Sequence, residues 1–164
     1  MTNGARAGAR VRVAAFVLAL TIAPPATAAP PAPSPLGAWE FKTGDIAGCT
    51  ISGALTVSKP KAVGGELPCK FESVQACPKA TPPATYKVAQ SCTATVSDNK
   101  VVIKSKVQKI ISVTPNWAMP QVARNYAPDD FTVEINASAS EMTGTFYSHG
   151  QAKVTFWRPK ALTS

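Results

Sequence analysis

Residues 86–108 read YKVAQSCTATVSDNKVVIKSKVQ, and their alternation decides the fold. In the first half Tyr86, Val88 and Val96 share one parity, and in the second half Val101, Ile103 and Val107 do. Side chains that recur every second residue lie on one face of a β-strand, whereas a helix would space them by three or four. Asp98-Asn99-Lys100 separates the halves with residues that favour tight turns. The segment therefore predicts an antiparallel hairpin with one apolar face.

Outward from this hairpin the same pattern recurs. Alternating runs are read at Ala38–Thr43, Cys49–Ser58, Leu67–Cys77, Tyr86–Ser97, Val101–Gln108, Phe131–Ala137, Met142–Ser148 and Ala152–Arg158. Each collects bulky apolar residues on one parity: Ile51, Leu55 and Val57 face one way in the second run while Thr50, Ser52, Thr56 and Ser58 face the other. Gly44-Asp45, Gly64-Gly65, Pro82-Pro83 and His149-Gly150 punctuate the links, and short links favour antiparallel neighbours. The expected fold class is all-β, an eight-stranded antiparallel up-and-down β-barrel, since closure buries one face of every strand and leaves no edge. A two-sheet sandwich is the alternative. At 164 residues, 45% hydrophobic and 16% charged, the chain suits one globular domain.

The N-terminal segment reads differently. Arg6, Arg10 and Arg12 precede the apolar run Val13 to Ile22, and Pro24-Pro25-Ala26-Thr27-Ala28-Ala29 follows. This has the layout of a secretory signal peptide, and the apolar run is about half the roughly 20 residues needed to cross a bilayer. Ala26-x-Ala28 places the cut after Ala28, so the expected organisation is a signal peptide over 1–28, a Pro-rich lead over 29–36 and a barrel domain over 37–160, exported to the periplasm or the medium. Cleavage would remove three of the 17 basic residues and none of the nine acidic ones, lowering the net charge from +8 to +5. A surplus of this size reads as a solvated exterior, with attraction to anionic surfaces as the functional alternative. Aromatic residues are not interleaved with the lysines, which argues against nucleic acid as a partner.

Cys49, Cys69, Cys77 and Cys92 are even in number, and in an exported protein the default is two disulfides. No pair has C-x-x-C spacing and His149 is the only histidine, so no metal site is expected. All four cysteines share parity with the inward residues of their own runs. Paired positions in an antiparallel hairpin sum to a constant, so Cys49 with Cys77 centres a turn at residue 63 and Cys69 with Cys92 centres one beside Pro82-Pro83. Each link would contribute about 2–4 kcal/mol. The rival pairing of Cys49 with Cys69 and Cys77 with Cys92 also places a link near the proline turn.

Gly37-Ala38-Trp39 opens the first run and Arg158 ends the last. Together they resemble the signature of the calycin barrels, lipocalins and avidins among them, in which the Trp of a G-x-W closes one end and a basic residue from the last strand packs across it. Within that group the chain is most similar to the periplasmic Inh-type metalloprotease inhibitors, through Gly37 to Trp39, Cys49 after Gly48, and Cys77. It departs from them in having Cys69 and Cys92, in looser spacing, and in a lead, Pro30 to Pro35, unlike the segment those inhibitors insert into a protease cleft. The resemblance implies barrel closure by Trp39 and Arg158.

No catalytic constellation assembles. Ser148-His149 lies in a turn without a G-x-S-x-G elbow, Asp129-Asp130 point opposite ways on an extended chain and read as the start of a strand, and no phosphate-binding glycine loop occurs. The chain is expected not to be an enzyme and to need no cofactor. The least routine segment is the connection Lys109 to Asp129, which carries Trp117, Met119 and Tyr126 among Pro115, Pro120 and Pro128. A lid across an open barrel mouth would explain it, as would a self-packed Ω-loop. Gly53, Ser73, Gln75, Gln90, Ala94, Ser105 and Gly144 fall on inward parity and predict interior space; Gln75 and Gln90 require partners, supplied by a ligand, by water or by solvent at the rim. The expected function is a monomeric, exported barrel binding a small apolar or amphipathic ligand through Trp117, Met119, Tyr126, Gln75 and Gln90. The alternatives are a protein-binding module, such as an inhibitor of an exported protease, and a structural envelope protein with a filled barrel.

Overall fold

The computed structural model describes residues 32–60 and 65–160. The signal-peptide reading and the first residues of the lead lie outside them. The described chain forms a closed barrel of eight antiparallel strands in sequence order. These are β1 (Gly37–Thr43), β2 (Thr50–Val57), β3 (Leu67–Cys77), β4 (Ala84–Ser97), β5 (Lys100–Thr114), β6 (Asp130–Ile135), β7 (Glu141–Tyr147) and β8 (Gln151–Trp157). Each strand pairs with its neighbours in the chain, and β1 closes on β8 through pairs such as Phe41 with Phe156. The antiparallel up-and-down barrel expected from the alternation is thus the fold, and the sandwich is not.

The β2–β3 register pairs Thr50 with Ala76, which brings Cys49 and Cys77 together one step further on, and the β3–β4 register sets Cys69 opposite Cys92. Disulfides join both pairs, with Cα separations of 4.1 Å and 4.8 Å.

One expectation is corrected. β5 does not stop at Gln108 but runs to Thr114, and the connection to β6 is not a bare loop from Lys109. The β4–β5 pairing shifts register between Lys87 and Val88 and again between Ala89 and Gln90, so Val107, Ile110 and Val113 oppose Gln90, Val88 and Tyr86. Two bulges turn the spacing of two into a spacing of three, which hides the strand from a search for alternation. After Pro115 come a 3-10 turn, Asn116–Ala118, and a short helix α1, Met119–Asn125, begun with Pro120 in its first turn.

The interior is filled, which corrects the expectation of space. Phe41, Phe71, Phe131, Phe146 and Phe156 are all buried and pack mostly edge to face, with ring centres 5.1 Å apart for Phe41 and Phe156 and 5.3 Å for Phe41 and Phe131. Each such pair adds about 0.5–1.5 kcal/mol beyond the burial of its surface. The gap expected at Gly53 is occupied, since a Cβ there would lie 2.8 Å from the Phe41 ring. Eight strands enclose a bore just wide enough for side chains, and the phenylalanines use it.

Candidate functional site

The barrel has two unlike ends. At one, where β1 begins and β8 finishes, the Arg158 guanidinium carbon lies 3.6 Å from the centre of the Trp39 ring. Arg158 Nη1 donates to the carbonyls of Leu36 (2.8 Å) and Ala38 (3.1 Å), and Nε donates to that of Ala139 (3.0 Å). Trp39 Nε1 donates to the Pro35 carbonyl at 2.7 Å. The glycine of the G-x-W also has a reason: Gly37 has φ +100°, and a Cβ on it would lie 3.1 Å from Arg158 Nη1. This end is sealed.

At the other end the barrel carries a buried acid. Asp129, just before β6, is 0% exposed. Its Oδ2 accepts hydrogen bonds from Gln90 Nε2 (2.6 Å), Tyr126 Oη (3.1 Å) and Ser73 Oγ (3.2 Å). Its own N–H donates to Gln90 Oε1 (3.1 Å), and its carbonyl accepts from Ser105 Oγ (2.6 Å). Oδ1 has no partner among the described residues. Burial pushes the carboxyl up to about 6, against the pull of the hydrogen bonds from Gln90, Tyr126 and Ser73. Burial also raises the Tyr126 phenol well above its ordinary value, helped by the neighbouring Asp129 charge.

Above this network is a hollow of about 350 Å³ whose walls include Gln75, Tyr86, Trp117, Val122, Tyr126 and His149. It lies between the β3–β4 loop, the segment that follows β5 and the β7–β8 turn. Trp117 is 72% exposed at its edge. His149 donates from Nε2 to the Asn125 carbonyl at 2.9 Å, which ties the β7–β8 turn to the end of α1. Among the described residues no lysine, arginine, aspartate or glutamate lines the hollow.

The residues singled out in the sequence therefore part company. Trp117, Tyr126 and Gln75 meet at the hollow, whereas Met119 does not line it and α1 contributes Gln121 and Val122 in its stead. Gln90 is 2% exposed and lies beneath, where its partner is Asp129 and not a ligand or the solvent at a rim. Asp129 itself was missed as a functional residue. Its signal was present, because it shares parity with the inward Phe131 and Val133 while Asp130 faces out to Lys104 at 2.8 Å.

No protein family model matches the chain. No curated protein sequence matches it either. Among solved structures it is similar to a redesigned β-barrel, mFAP1, bound to DFHBI, at 10% identity and a TM-score of 0.48 over 76% of this chain and 94% of that one. It is also similar to a de novo designed fluorescence-activating β-barrel, at 13% identity and a TM-score of 0.45 over 76% of this chain and 93% of that one. Among the described residues no helix is long and apolar enough to cross a membrane.

Proposed function

We propose that the protein is an exported, calycin-like binding barrel without catalytic activity, which takes a small amphipathic ligand at its open end. The observation that carries this reading is the aromatic-walled hollow of about 350 Å³ standing over a filled interior. Its volume lies in the range of roughly 300–1,000 Å³ usual for small-molecule sites, and its walls mix aromatic and apolar side chains with uncharged polar ones such as Gln75, Gln121 and Asn125. The ligand sits over the barrel and not within it, because the phenylalanine cluster leaves the bore no room. The stacked Trp39 and Arg158 support the calycin likeness, and the two disulfides support folding in an oxidising compartment.

Protease inhibition through the N-terminal lead has less support. Arg158 and Trp39 hold the carbonyls of Leu36 and Pro35 against the sealed end, which leaves that stretch unfree to enter a cleft.

The test is native mass spectrometry of the protein purified from its own host. A retained small molecule that is lost in Trp117→Ala, with the fold intact, supports the reading; a protein that arrives bare, or that keeps its ligand in the variant, removes it.

A further inference from the structure

We propose that the ligand held at the open end is an organic amine, bound as its ammonium form against Tyr126, with Asp129 as the buried counter-charge behind it. The inference rests on the binding role just proposed and names the chemical class of its ligand.

Asp129 is the reason. A fully buried carboxylate held, among the described residues, only by uncharged hydrogen-bond donors is costly, and native proteins retain few such groups. The ion pairs among the described residues, Lys87 with Glu72 and Lys104 with Asp130, leave it out. Ser148 of the β7–β8 turn also favours the ionised acid through its hydroxyl, which lies 3.4 Å from the Ala127 carbonyl as well, but it brings no charge. The negative charge therefore has donors to hold it in place but, among the described residues, no cation to neutralise it. A ligand cation would complete the site.

Tyr126 connects the two. It lines the hollow and its hydroxyl proton is committed to Asp129 Oδ2, so what its oxygen has left to offer is acceptor capacity, strengthened by the nearby anion. His149 carries a proton on Nε2, since the Asn125 carbonyl can only accept, and in the neutral ring its Nδ1 is an acceptor. Gln75 gives one amide N–H to Cys77 Sγ at 3.6 Å and keeps an oxygen able to accept beside its second N–H. Tyr126 thus offers an acceptor, and Gln75 and the neutral His149 ring are able to offer one each. Tyr86 and Trp117 add aromatic faces, which attract a cation. An anionic ligand would find no lysine or arginine in the described walls and a buried carboxylate below, although the protein as a whole is basic.

The experiment titrates the full chain near neutral pH with three probes of matched shape, 2-phenylethylammonium, 2-phenylethanol and 3-phenylpropionate, followed by NMR amide shifts. The ammonium should bind about tenfold tighter than either of the others, a margin equal to one good charge-assisted or cation–π contact. Asp129→Asn should erase that preference, bringing the ammonium down to the alcohol. Tyr126→Phe, which keeps the buried charge but removes the acceptor, should reduce the preference and decides the matter if Asp129→Asn does not fold. Equal binding of the alcohol or the carboxylate, or an undiminished preference in these variants, overturns the amine while leaving a small-molecule site standing. Binding of none of the three also overturns it, and the retained mass in wild type and Trp117→Ala then judges the site separately.

Discussion

Gln90 and Asp129, 39 residues apart in sequence, hold each other through two hydrogen bonds that run in opposite directions. The Gln90 amide nitrogen donates to the carboxylate at 2.6 Å, and its oxygen accepts the Asp129 backbone N–H at 3.1 Å. The bond pair pins the start of β6 to the middle of β4 across the bore. It orders the acid without neutralising it.

That arrangement makes stability depend on pH in a set direction. The Asp129 carboxyl is raised from 3.8 to about 6, so between those values the folded protein keeps a proton that the unfolded chain has lost. The contribution of Asp129 to stability is greatest below this window, falls as the pH rises through it and then levels off, a loss of about 3 kcal/mol. Asp129→Asn cannot titrate, so urea denaturation should show the wild type losing stability relative to the variant as the pH rises between about 4 and 6. A wild type that gains on the variant as the pH rises would contradict the buried, unneutralised acid.

The sealed end should behave as scaffold. Trp39 is wholly buried under Arg158, and Trp39→Ala should cost about 3–5 kcal/mol through the lost side chain and the cavity it leaves. Arg158→Ala should cost less, since it removes a partly exposed cap, its cation–π contact and its bonds to Leu36, Ala38 and Ala139. Thermal denaturation of the two variants ranks them.

Trp117 offers the contrast. At 72% exposure it contributes little to the core, so Trp117→Ala should shift the melting temperature hardly at all and show its effect on ligand retention. If it destabilises the protein as much as Trp39→Ala does, the segment after β5 belongs to the core and is not a wall of a binding site.

The disulfides link residues 28 and 23 positions apart, and each should contribute about 2–4 kcal/mol by restricting the unfolded chain. Peptide mapping without reductant should recover Cys49 linked to Cys77 and Cys69 linked to Cys92. Denaturation in reductant should then move to lower urea.

The barrel was legible because its evidence is local. Leu67–Cys77 agrees residue for residue with the observed β3, and the β2–β3 and β3–β4 registers are those implied by Cys49–Cys77 with Cys69–Cys92, one of the pairings that parity left open. β5 was legible only to the point where its bulges begin. Beyond Gln108 the inward positions Val107, Ile110 and Val113 are spaced by the partner strand's shifts, which no single strand displays.

Alternation by itself determined eight amphipathic strands in simple order, because a period of two sorts side chains to opposite faces whatever the rest of the chain does. Parity also set Asp129 and Asp130 on opposite faces, and the structure shows Asp129 to be the inward one. What parity does not contain is depth along the bore and who stands opposite. Closure of the barrel decided that five phenylalanines fill the interior, and that Gln90 from β4, Ser73 from β3 and Tyr126 from beyond α1 converge on one carboxylate. Those partners lie 39, 56 and 3 residues from Asp129. Only a closed sheet, which brings distant strands across a common bore, puts them within hydrogen-bonding reach and takes water away from the charge they hold.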